Sequence, residues 1–133
     1  MNTIYAREDY LGADEYIDIV RKSGLNRPVE DRGRVERMLA HANLILTARQ
    51  DGKLVGFARS LTDFCFCCYL SDLAVDKACQ GQGIGKRLIE ETRTAAGGAL
   101  TTTLLLSAPT AMSFYQGIKM PQADNCFLYR RQA

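Results

Sequence analysis

The chain has 133 residues, 47% of them hydrophobic and 24% charged, a balance that fits one globular domain and excludes wholesale disorder. Seventeen Lys+Arg against fifteen Asp+Glu leave a net charge of +2, too even to announce nucleic-acid binding. No apolar run reaches membrane-span length, and the polar stretch 1–9 lacks the apolar core of a signal peptide, so the expectation is a cytoplasmic protein without a membrane partner.

In chain order, residues 2–7 read as a short strand. Residues 12–22 read as a helix with Tyr16, Ile19 and Val20 on one face, ended at Ser23-Gly24. Arg27-Pro28 breaks the chain, and Asp31 can cap a second helix to Ala42 with Val35, Met38, Leu39 and Ala42 at helical spacing. Strand-like runs at 44–49 and 54–61 flank Asp51-Gly52, a strong hairpin signal. A third apolar and aromatic run spans 64–75. Residues 76–82 form a polar loop, and 83–96 read as a helix with Ile84, Leu88, Ile89 and Thr92 on one face. Residues 101–108 read as a buried strand, 109–116 as a short helix stopped by Gly117, and 126–130 as a last strand. The order β-α-α-β-β-β-α-β-α-β is a mixed α/β pattern in a single domain covering 1–133.

Five cysteines, Cys65, Cys67, Cys68, Cys79 and Cys126, cannot pair fully within the chain, and three of them crowd into four positions. Reduced thiols acting as small hydrophobes fit better than a disulfide framework. Cys65 and Cys68 have C-x-x-C spacing, but no second pair follows and the one histidine, His41, is distant in sequence, so no metal site is expected.

Chemistry concentrates in Gln80-Gly81-Gln82-Gly83-Ile84-Gly85-Lys86, between a strand and a helix. Glycines allow close backbone approach, and the free N–H groups and dipole of a helix start attract an anion. A phosphate or pyrophosphate is the natural guest. The P-loop pattern fails, because Lys86 precedes Arg87 and the position five before Gly85 is Gln80. The dinucleotide fingerprint fails at its third glycine, replaced by Lys86, and lacks its acidic partner near 100–106. Gln80, Gly83 and Gly85 do match Q-x-x-G-x-G. That segment, preceded by Leu73-Ala74-Val75-Asp76 and followed by Lys86-Arg87-Leu88-Ile89, resembles the acetyl-CoA signature of the GNAT superfamily of N-acetyltransferases. Ala111-Met112-Ser113-Phe114-Tyr115, then Gly117, is similar to that family's short helix with an A-x-x-F-Y element.

The resemblance runs from the Asp-Gly hairpin to the end of the chain. It implies a twisted, mostly antiparallel sheet flanked by helices and splayed between its fourth and fifth strands, with CoA in the gap. It assigns cofactor binding to Leu73, Ala74 and Val75, whose backbone would pair with pantetheine. It also assigns Gln80, Gln82, Gly83, Ile84, Gly85 and Lys86, with backbone N–H groups of 82–86 on the pyrophosphate. It implies direct acetyl transfer from acetyl-CoA, as cosubstrate, to a primary amine of a small molecule or protein. Tyr115 would be the acid that protonates the leaving thiolate. The alternative is a CoA-binding regulatory or sensor module without turnover. Members often show Gly-Phe after the aromatic helix and a clear closing hairpin. Here Gly117 precedes Ile118-Lys119-Met120-Pro121 and few residues follow, so the closing wall is either short or completed by a second subunit, as in a homodimer.

Asp72 is a carboxylate in an apolar strand, where an unpaired charge is costly. It reads either as a proton acceptor or cation attractor, or as a bulge residue bonded to backbone. Tyr69 and Ser71, two residues apart, would line the same gap. His41 reads as a helix-end residue, and Arg21-Lys22, Arg32, Arg34 and Arg37 as solvated helix faces.

Overall fold

The structure is a computed structural model and describes residues 2–133. Its elements are β1 (Ile4–Arg7), α1 (Ala13–Ser23), α2 (Arg32–His41), β2 (Leu44–Gln50), β3 (Lys53–Thr62), β4 (Cys67–Val75), α3 (Ile84–Ala95), β5 (Thr102–Leu104) and α4 (Met112–Gly117). One sheet holds all five strands in sequence order. The first three pairings are antiparallel and β4–β5 is parallel, as the mixed, mostly antiparallel expectation required.

Helices cover both faces of the sheet. On one face, Tyr16, Ile19 and Val20 of α1 and Val35 of α2 meet Ile45, Leu54, Phe57 and Ala74. On the other, Ile84, Leu88 and Ile89 of α3 meet Leu44, Leu46, Val55 and Leu70. The caps follow the sequence. Asp31 Oδ1 accepts the Arg34 N–H at 3.0 Å to start α2. The Gly24 N–H closes α1 on Val20 O at 3.1 Å. No helix among the described residues is long and apolar enough to cross a membrane.

Three expectations need correction. The strand expected from Phe64 starts at Cys67, because Asp63 Oδ1 accepts the backbone N–H groups of Cys65, Phe66 and Cys67 within 3.0 Å and turns the chain there. Those bonds hold the Asp63 carboxyl far below the usual carboxylate range. The strand expected over 101–108 is only three residues long, since β4 bends away from it. Residues 126–130 form no strand, and Phe127 and Tyr129 are fully exposed. A strand needs a ladder to join, and β5 ends at Leu104.

Candidate active site

The gap between β4 and β5 is made by a bulge. The two strands pair through Cys67–Thr102, Cys68–Thr103 and Tyr69–Leu104, and there the ladder stops. On the opposite edge of β4, Ser60 faces Leu70 while the neighbouring Arg59 faces Asp72, so Ser71 is an extra residue. A bulge bends a strand and adds twist. Leu70 to Val75 therefore run on beside β3 alone, with one backbone edge open. The extra residue also reverses the side-chain alternation. Cys68 and Leu70 face the α3 layer, whereas Asp72 and Ala74 face the α1 layer. Leu73 and Val75 return to the α3 face, half-buried.

The open edge leads to the start of α3. Asp76 ties the end of β4 down by donating its N–H to Val55 O at 2.8 Å and accepting the Ala78 N–H at 2.9 Å. Gly83, the N-cap of α3, sits at φ 79, a conformation that a β-carbon disfavours. Among the described residues, the backbone N–H groups of Gln82, Gly83, Ile84, Gly85 and Lys86 have no hydrogen-bond partner. Five unengaged donors with the helix dipole behind them form an anion cradle. Gln82 is anchored from the side, its Oε1 accepting from Gln50 Nε2 at 3.0 Å. Gln50 Nε2 also donates to Thr3 Oγ1 at 3.0 Å. The Gln80 N–H is spent on Lys77 O, which leaves its exposed side chain available.

Gly85 has a different reason to be glycine. A β-carbon there would lie 2.9 Å from Phe114 Cζ, so the Phe114 ring lies directly on the first turn of α3. Phe114 in turn meets Tyr115 edge to face, with centroids 5.0 Å apart. This contact anchors α4 to α3 and sets Tyr115, half-buried, against the α3-side core. Burial pushes the Tyr115 phenol above its ordinary pKa, with the positive charge of Arg27 pulling the other way. Its hydroxyl has no hydrogen-bond partner among the described residues.

Asp72 stands at the bulge, but side chains rather than backbone surround it. Its carboxylate is fully buried. Oδ2 accepts from Tyr16 Oη at 2.7 Å and Arg59 Nε at 2.5 Å, and Oδ1 from Arg27 Nε at 2.6 Å. Ser71 Oγ is 3.3 Å from Oδ1 and accepts from Arg59 NH2 at 3.0 Å. Burial pushes the Asp72 carboxyl up, but the two guanidinium groups more than offset this and hold it below the usual value. Burial first, and then the same carboxylate, push the Tyr16 phenol far up. Tyr69 is 38% exposed on the gap side of the bulge.

Sequence reasoning missed Arg27, Arg59, Tyr16 and Gln50. Arg27 read as part of a chain break and Tyr16 as a core aromatic. One signal existed: a carboxylate in an apolar strand demands a cation, and Arg59 is the basic residue within the apolar run 54–61. His41 ends α2, exposed, its Nδ1 2.8 Å from Arg37 O. The five cysteines are free thiols, and Cys68 alone is buried.

Known proteins match this architecture. The family model described as an acetyltransferase (GNAT) domain matches residues 41–118. The chloroplastic GCN5-related N-acetyltransferase 2 of Arabidopsis thaliana is 34% identical over 71 residues, 53% of this chain and 28% of that protein. An uncharacterized N-acetyltransferase of Porphyra purpurea is 31% identical over 100 residues, 69% of this chain and 54% of that protein. The chain thus spans about half or less of the length of these two relatives. A solved GNAT-family acetyltransferase from Streptococcus pneumoniae superposes with a TM-score of 0.78 at 18% identity, covering 99% of this chain and 100% of that one. The splayed sheet, the glycine loop at the start of α3 and a domain match over more than half of the sequence converge: the chain belongs to the GNAT family of acetyltransferases.

Proposed function

We propose that the chain transfers an acetyl group from acetyl-CoA directly to a primary amine. The observation that carries this reading is the open backbone edge of Leu70 to Val75 running into five unengaged N–H groups at the start of α3. An edge that offers N–H and C=O groups suits an extended amide chain such as pantetheine. The cradle suits its pyrophosphate, with the exposed Lys86 adding charge.

The amine attacks the thioester carbonyl, the C–S bond breaks, and the electron pair leaves on sulfur. The Tyr115 hydroxyl, without a hydrogen-bond partner among the described residues, hydrogen-bonds the sulfur as charge develops there and is the proposed acid. The ammonium proton passes to water. Asp72 is a poor acceptor, since both its oxygens are engaged and its basicity is reduced by Arg27 and Arg59. Its proposed part is to hold Arg27 at the mouth of the gap, with Arg59 buried behind it.

Purified protein mixed with acetyl-CoA and a panel of amines should release free thiol only when an amine is present. CoA at a hundred times its Kd should stabilise the fold by about 2.7 kcal/mol. Mass spectrometry after acetyl-CoA alone should show no stoichiometric acetyl-cysteine that an amine then discharges, because transfer is direct. Absence of a CoA-induced stability gain would count against the whole reading. A kinetically competent acetyl-enzyme would count against direct transfer.

The two glycines separate by readout. Gly83→Val forces a β-branched residue into φ 79, at a cost of about 1–2 kcal/mol, and covers the cradle. It should abolish the CoA-induced rise in melting temperature. Gly85→Val meets the Phe114 ring and should lower the melting temperature even without CoA. Full CoA response in a folded Gly83→Val protein would remove the cradle from the argument.

A further inference from the structure

The cluster at the bulge is not neutral. Arg27 and Arg59 each carry a positive charge and share the one carboxylate of Asp72, while Tyr16 and Ser71 carry none. One positive charge is left over. Arg59 is sealed in, with its side chain 7% exposed, whereas that of Arg27 is 23% exposed. The surplus therefore meets solvent through Arg27.

The chain puts Arg27 at the gap. It sits in the connection between α1 and α2, and its NH2 donates to Ser71 O at 2.7 Å while its Nε holds Asp72. Ser71 lies two residues past Tyr69, the last β4 residue paired with β5. Arg27 thus stands where the strands part, and its charge is felt at Tyr115 on the other wall. A guanidinium has five N–H donors. Nε, one NH1 donor to Asn26 O and one NH2 donor to Ser71 O account for three, and two remain. Two anchors on β4 fix the plane of the fork, so little ordering entropy is left to lose when it grips a planar anion.

We propose that Arg27 is the specificity-determining residue of the acceptor site and that the acceptor is an amine carrying a carboxylate close to the reacting nitrogen. The inference rests on the gap being the site of acetyl transfer. A carboxylate matches the Arg27 fork in shape and cancels the surplus charge. A polyamine would bring further positive charge toward an uncompensated cation and is disfavoured.

The test compares L-methionine and L-phenylalanine as acceptors with their amides and with the decarboxylated amines, each at equal concentration of neutral amine. The free carboxylates should be used with kcat/KM about 10–100-fold higher, chiefly through KM, as for a charge-assisted hydrogen bond. Arg27→Gln should shrink that gap to about two-fold, and Arg27→Lys, which keeps the charge without the fork, should restore part of it. A second readout needs neither turnover nor a variant. Titrated into the CoA-loaded wild-type protein, N-acetyl-L-methionine should bind about ten-fold more tightly than its amide. Equal binding of acid and amide, equal use of all three acceptor types, or a preference for spermidine would overturn the proposal and leave acetyl transfer to amines standing. Failure to bind CoA or to release thiol with any amine would instead sink the transfer reading, and this inference with it.

Discussion

In Tyr115→Phe, kcat should fall about 10²–10⁴-fold while CoA affinity barely changes. The substitution keeps the ring, its edge-to-face contact with Phe114 and its place against the core, and removes one hydroxyl. That hydroxyl has no hydrogen-bond partner to strand among the described residues, so the melting temperature should stay within about a degree or two. The CoA thiol is more acidic than a phenol, and burial raises the Tyr115 phenol further. Complete proton transfer is therefore late, and the useful contact is a hydrogen bond that strengthens as charge reaches sulfur. An interaction made mainly in the transition state lowers kcat and kcat/KM together when lost. A well-folded Tyr115→Phe enzyme with unchanged kcat, chemistry being rate-limiting, would return Tyr115 to a packing role.

Asp72→Asn should cost about 3–5 kcal/mol of stability, the usual penalty for stranding buried charge. Arg59 keeps only neutral partners, Tyr16 Oη must share an amide, and Arg27 loses its anchor. Urea denaturation at neutral pH would read the loss, and a change under about 1 kcal/mol would deny the cluster its stabilising role. The pH dependence fixes the sign. The folded pKa of Asp72 is depressed, so its contribution is fully present above the unfolded value of about 3.9. It fades as pH falls from there through the folded value, because the unfolded chain takes up the proton first. The stability gap between wild type and Asp72→Asn should therefore be flat from pH 7 to about 5 and close below about 4.

The sheet order was readable where the signals are local. Asp51-Gly52 marks the β2–β3 hairpin, and the glycine loop announces both the start of α3 and an anion site. The errors lie where contacts between distant residues decide. Nothing near Thr101 says that β5 stops at Leu104, since the cause is a bulge on β4. Alternation in Tyr69-Leu70-Ser71-Asp72 gives no sign of the extra residue, so the face taken by Asp72 could not be read. Gly85 looked like a phosphate-loop glycine, yet its closest constraint is a ring 29 positions later. Arg27, Arg59 and Tyr16 are joined through Asp72 across separations of 45, 13 and 56 residues, beyond the reach of any spacing rule.

The bulge at Ser71 also bears on how this chain can diverge. Loops such as Asp63 to Phe66 or the α1–α2 connection can lengthen or shorten at modest entropic cost. The segment from Cys67 to Asp76 has no such freedom, because both of its ends are pinned, one to β5 and the other to Val55. Losing Ser71 would straighten β4 and extend its ladder with β5 into the gap, while leaving Asp72 on the α1 side. Gaining a neighbour would shift Leu73, Ala74 and Val75 to opposite faces. A single-codon deletion here would close the cleft, and an insertion would turn its wall over. Descendants of this sequence are thus free to change their acceptor by substitution and by loop length, while the number of residues in β4 stays constant.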